Sequence, residues 1–91
     1  MAIEVRIPTI LRPYTGDERS VTGSGATVIA VIDDLEARFA GIKDRLVEET
    51  GDVHRFVNIY VNDEDIRFTG GLDTAVSDGS TIVILPAVAG G

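Results

Sequence analysis

Four consecutive apolar residues, Ile82-Val83-Ile84-Leu85, stand near the end of a 91-residue chain and constrain its fold more than any other feature. A β-strand sends alternate side chains to opposite faces. A run with no polar member therefore needs cover on both sides and belongs in the middle of a sheet, under a helix on one side and something else on the other. A chain of this length suits one domain and hides only about 60–65% of the surface its unfolded form exposes. Little material is left to cover a second sheet face.

The other elements can be read around that strand. Ile3, Val5 and Ile7 alternate with Glu4 and Arg6, the period of a strand with one buried face, until Pro8 removes a ladder donor. The turn signal Thr15-Gly16-Asp17 lets residues 19–22 return as an antiparallel partner. Thr22-Gly23-Ser24-Gly25 breaks the strand pattern. Thr27 is then placed to cap a helix with a stripe of Val28, Val31, Ile32, Leu35 and Phe39, and Gly41 supplies its stop signal. Residues 42–49 have the length of another helical turn or two, but Thr50-Gly51-Asp52 and the mixed charges favour a solvated connection. In the next strand, 56–61, Val57, Ile59 and Val61 share one face and Phe56, Asn58 and Tyr60 the other. Asn62-Asp63-Glu64-Asp65 makes a turn and residues 66–68 a short return strand. Gly70-Gly71 and Ser77-Asp78-Gly79 bracket residues 72–76, enough for one tight turn that plugs Leu72 and Val76 inward. The sum is an α+β fold of the β-grasp type: a mixed sheet of four to five strands wrapped around one main helix.

Fifteen acidic residues against eight basic ones give a formal charge of −7. Such a field repels phosphate backbones and anionic membranes, which argues against nucleic acid and membrane as partners and favours a basic or locally positive one. The same surplus also simply keeps a small domain soluble. With no cysteine in the chain, disulfides, thiolate nucleophiles and Cys-based metal sites are excluded. The opening residues alternate instead of running apolar, and no stretch approaches the ~20 apolar residues of a membrane span, so no secretory signal and a cytoplasmic address are expected.

From Gly79 to Gly91 no side chain is charged, although 25% of the chain is, which sets this end apart from the usual polar, fraying terminus. Pro86 cannot donate to a ladder, so the chain is expected to leave the sheet there and project about 20 Å if extended. This divides the chain into a β-grasp domain, 1–86, and a flexible tail, 87–91. Ala87, Val88 and Ala89 lead to Gly90-Gly91, whose missing Cβ atoms let them follow a channel too narrow for other residues.

The run from Asp78 to Gly91, with its Asp-Gly turn, strand, Pro86 and terminal Gly90-Gly91, resembles the end of the ThiS/MoaD ubiquitin-like sulfur carriers. Ile7-Pro8-Thr9-Ile10-Leu11-Arg12-Pro13 and Val61-Asn62-Asp63-Glu64-Asp65-Ile66-Arg67-Phe68 resemble the cysteine-biosynthetic members of that family, so the similarity runs through nearly the whole chain. One departure is Ser80, where many members carry another acid.

The resemblance implies a carrier and not an enzyme, with no catalytic residues, metal or cofactor of its own. An E1-like adenylyltransferase of the ThiF/MoeB type would use ATP to convert the Gly91 carboxylate into an acyl-adenylate, and a sulfide source would turn that into a thiocarboxylate. A sulfur-accepting biosynthetic enzyme would take the sulfur, in cysteine synthesis by preference, or in thiamin, molybdopterin or specialised metabolism. Gly91 is expected to need no processing, Ala87, Val88, Ala89 and Gly90 would enter partner active sites, and the free chain would be a monomer. Ile82 and Ile84 would face the helix, leaving Tyr60, Val83 and Leu85 as a docking patch on the other face unless the chain itself covers them. Two alternatives stay open: a ubiquitin-like modifier forming isopeptide bonds, and the small subunit of a molybdopterin-synthase-like complex.

Other signals carry less. Gly23-Ser24-Gly25-Ala26-Thr27-Val28 superficially matches a dinucleotide fingerprint, but Val28 takes the third glycine position and no parallel crossover unit fits. His54, the one histidine, has neither a second ligand nor a nucleophile in sequence to work with. Asp63-Glu64-Asp65 lacks the spacing of a calcium loop. Asp33, Asp34 and Glu36 read as a solvated helix face, and Gly70-Gly71 as turn geometry.

Overall fold

The alternation at the start of the chain builds β1, Ala2–Arg6, with Ile3 and Val5 buried and Glu4 and Arg6 in solvent; the computed structural model describes residues 2–86. β2, Ser20–Ser24, returns antiparallel, setting Val21 opposite Val5 and Gly23 opposite Ile3. A 3-10 turn, Thr9–Thr15, fills the connection, buries Leu11 and ends at Gly16 in the left-handed region. α1, Val28–Arg38, starts where Thr27 Oγ1 accepts from the Ala30 N–H at 3.2 Å and buries Val28, Val31, Ile32 and Leu35. Phe39 follows as its C-cap, partly buried against the core.

β3, Val57–Val61, puts Val57, Ile59 and Val61 inward; β4, Glu64–Asp65, pairs antiparallel with it; β5, Thr81–Pro86, completes the sheet. The strand order is β2-β1-β5-β3-β4, with β5 parallel to β1 and antiparallel to β3. The apolar run therefore lies at the centre of a five-stranded mixed sheet. Its inward residues Ile82 and Ile84 join Ile3, Val5, Ile59 and the α1 stripe in one core. Burying each such side chain contributes about 1.5–3 kcal/mol. Val76 is buried and Leu72 packs against the core, as the bracketing glycines suggested.

Four local expectations are corrected. Gly23 and Ser24 do not end the strand but belong to β2, since α1 packs so closely that a Cβ on Gly23 would lie 2.6 Å from Val31 Cγ1. Residues 42–49 are not a solvated connection throughout: Ile42–Leu46 is a second helix, α2, with Ile42 and Leu46 fully buried. It starts at Gly41, φ 98°, where the Glu36 carboxylate accepts from the N–H groups of Gly41 and Lys43 at 3.0 and 2.8 Å. The hairpin after β3 turns on Asn62 and Asp63 alone, both at positive φ, a two-residue turn whose twist matches the strands. The return strand is thus Glu64–Asp65, and Ile66–Phe68 forms a 3-10 turn instead, because Ile66 must swing inward to complete burial. Pro86, finally, does not leave the sheet but is the last residue of β5, in register with Val57; lacking an N–H costs a donor, not an extended backbone.

Candidate functional site

β5 is held firmly where it begins. Gly79, φ 89°, makes the turn into it, and buried Ser80 closes that turn by accepting from the Ser77 N–H at 3.0 Å through its hydroxyl. The Ser80 carbonyl accepts from the Glu4 N–H at 3.2 Å, and Asp78 Oδ1 accepts from the Ala2 N–H at 2.8 Å. On the other side Asn62 Oδ1 accepts from the Thr81 N–H at 3.0 Å, and the Asn62 N–H donates to the Thr81 carbonyl at 2.9 Å. Ser80 thus fills a hydrogen-bonding role in the turn where many resembled proteins carry an acid.

Pairing on both edges fixes which way each β5 side chain points. Val83 lies directly opposite Tyr60, and Leu85 opposite Asn58. Tyr60 and Val83 are half-buried and Leu85 is 45% exposed, so all three expected patch residues share the sheet face turned away from α1. Asp65, opposite Tyr60, borders the face. The Arg67 guanidinium, 2.7 Å from Asp65 Oδ2, and the Arg67 backbone N–H hold that carboxyl below the usual carboxylate range. Gly91 and the tail residues Ala87, Val88, Ala89 and Gly90 lie outside the described residues.

An open groove of about 620 Å³ adjoins the end of β5, where Leu85 and Pro86 meet Arg6 of β1, Ile10 and Arg12 of the first 3-10 turn, and Arg19 before β2. Sequence reasoning missed this constellation, because its arginines come from three separate segments with no common period. Ile10 is 59% exposed, and Arg12 Nε donates to the Ile7 carbonyl at 3.3 Å. His54 lies elsewhere in role: its Nδ1 accepts from the Phe56 N–H at 3.3 Å and its ring lies tilted by 34° against that of Phe56, with centroids 5.0 Å apart. Among the described residues, no three His, Asp or Glu side chains gather as metal ligands would. No described helix is long and apolar enough to cross a membrane.

The ThiS family model matches residues 5–91. Sulfur carrier protein CysO of Mycobacterium tuberculosis is 61% identical over 93 residues, covering 100% of both chains. Small archaeal modifier protein 3 of Haloferax volcanii is 34% identical over 94 residues, again covering 100% of both. A chain in the crystal structure of the Amycolatopsis orientalis BexX/CysO complex superposes with a TM-score of 0.93 at 63% identity, over 99% of this chain and 100% of that one. The β-grasp architecture read from the strand and helix pattern is borne out by that superposition.

Proposed function

The chain belongs to the ThiS family, and from that membership we propose that it is a sulfur carrier whose working group is the carboxylate of Gly91. What carries the reading is the 61% identity to the sulfur carrier CysO across the full length of both chains. The chain supplies delivery, and catalysis belongs to its partners.

A free carboxylate resists nucleophiles because it is negative and its leaving group is oxide. Activation supplies a better one. A Gly91 carboxylate oxygen attacks the α-phosphorus of ATP on an E1-like adenylyltransferase of the ThiF/MoeB type, and pyrophosphate leaves. Sulfide from a donor then attacks the acyl carbon of the adenylate, AMP leaves, and a thiocarboxylate remains at Gly91. Residues 87–91 act as a flexible tail on the 1–86 domain and carry this sulfur into an acceptor enzyme, where tethering raises its local concentration. Cysteine synthesis is the favoured pathway, on the likeness to CysO. The free carrier is a cytoplasmic monomer, and the likeness to a chain of the BexX/CysO complex supports its having a protein partner.

Tyr60, Val83 and Leu85 serve as the patch on which partners sit, because they share the sheet face turned away from α1, on β5, which leads into the tail, and on its neighbour β3. Intact-mass spectrometry after incubation with ATP, sulfide and a ThiF-type adenylyltransferase tests the carrier reading. The expected gain equals sulfur minus oxygen and disappears when Gly91 is deleted. No gain with an adenylyltransferase active on its own carrier, or a gain that survives the deletion, rejects it.

The 34% identity to small archaeal modifier protein 3 favours one second reading, a protein modifier in which a lysine amine attacks the same adenylate. Ladders linked through Gly91 in cell lysates are its signature.

A further inference from the structure

We propose that the groove beside the exit of β5 docks an acidic segment, anchored by an apolar side chain, of the protein that receives this chain's end. The inference rests on the carrier reading and adds the sign of the partner's charge. Five residues follow Pro86, which lines the groove. Extended, they span about 16 Å, so a pocket that takes Gly91 has its rim within that distance of the groove. The protein around the pocket entrance then comes within reach of Arg6, Arg12, Arg19 and Ile10, which line the groove with Pro86.

The charge there opposes that of the molecule. Of the chain's eight basic and fifteen acidic residues, three basic ones and a single acid, Glu4, line this groove. Glu4 meets Arg6 at 3.3 Å, whereas Arg12 and Arg19 meet no carboxylate among the described residues. A net charge of −7 taken alone favours a basic partner. At this place it is the reverse, since guanidinium groups bind carboxylates through paired, charge-assisted hydrogen bonds. The same groove offers Ile10, 59% exposed, and Leu85, 45% exposed, as an apolar floor. An open trough with an apolar floor and cationic walls fits a peptide segment better than an enclosed small anion.

Short synthetic peptides with a Leu-Phe centre flanked by Asp and Glu, titrated into the isotope-labelled full-length chain, provide the test by NMR. Amide shifts are expected at Ile10, Arg19 and Leu85. Affinity should fall about tenfold in the Arg6→Glu/Arg19→Glu chain. An Arg38→Glu/Arg67→Glu chain undergoes the same change in net charge away from the groove, and it should bind within about twofold of the parent because distant charges are screened. Both variants are checked for folding by thermal unfolding. Absent shifts, equal binding of a control peptide with Asn and Gln in place of Asp and Glu, or an equal loss in both variants overturns the proposal. So does reproduction of the shifts by inorganic phosphate or ATP, by an oligonucleotide, or by raising the concentration of the chain alone. Sulfur loading is measured separately, so failure of this test leaves the carrier reading standing, and the converse also holds.

Discussion

Val31 leaves no room for a methyl group at Gly23, whose added Cβ would lie 2.6 Å from Val31 Cγ1 and 3.6 Å from Leu35 Cδ2. Valine is stiff about χ1, so the clash cannot be relieved by a swinging chain end. Gly23→Ala is therefore expected to destabilise the fold by about 1–3 kcal/mol. A fall in the urea midpoint without change in m-value would show it, and an unchanged midpoint would mean that α1 shifts freely on β2. In sequence, Gly23 looked like punctuation. Its burial against a helix is a tertiary fact, invisible to local turn chemistry. The arginines of the groove were hidden for a similar reason: Arg6, Arg12 and Arg19 meet only because the 3-10 turn folds back beside the ends of β1 and β5.

At the level of elements, periodicity located what was long and regular. The stripe of α1 and the alternations of β1 and β3 were legible because each repeats several times. α2 was not, since one helical turn shows only Ile42 and Leu46, and Gly41 signals a stop as readily as a start. What starts α2 is an acceptor outside it, Glu36 on α1, which takes the N–H groups of Gly41 and Lys43. Those two donors lower the Glu36 pKa below its ordinary value, and nearby Lys43 adds a smaller pull in the same direction. A carboxylate whose pKa is depressed on folding stabilises the fold above its unfolded value and loses that contribution as pH falls through the folded one. Glu36→Gln should therefore be less stable than the parent at neutral pH, with the gap closing on acidification. Urea midpoints of both proteins, followed down through the carboxylate range, measure this. A gap independent of pH would mean that the capping charge contributes nothing.

Viewed whole, the molecule has unequal sides. Both helices pack on one face of the sheet, and the other face holds Tyr60, Val83 and Leu85. Leu85→Asp is expected to leave stability within about 1 kcal/mol of the parent, while costing about 2 kcal/mol in partner binding if the residue is an interface anchor. Calorimetric unfolding together with titration against a ThiF-type adenylyltransferase, the partner proposed above, separates the two. Ile84→Asp, one position away but buried, should instead unfold the domain. Unfolding by Leu85→Asp would place that side chain in the core.

The order β2-β1-β5-β3-β4 makes β5, among the described strands, the one that joins the two hairpins. A nascent polypeptide cannot close its sheet until residues 81–86 have emerged from the ribosome, and the β1–β5 pairing joins positions as distant as Glu4 and Thr81. Interrupted synthesis therefore leaves two orphan ribbons exposed to proteolysis. The strand that completes the body is also the one from which residues 87–91 continue in sequence.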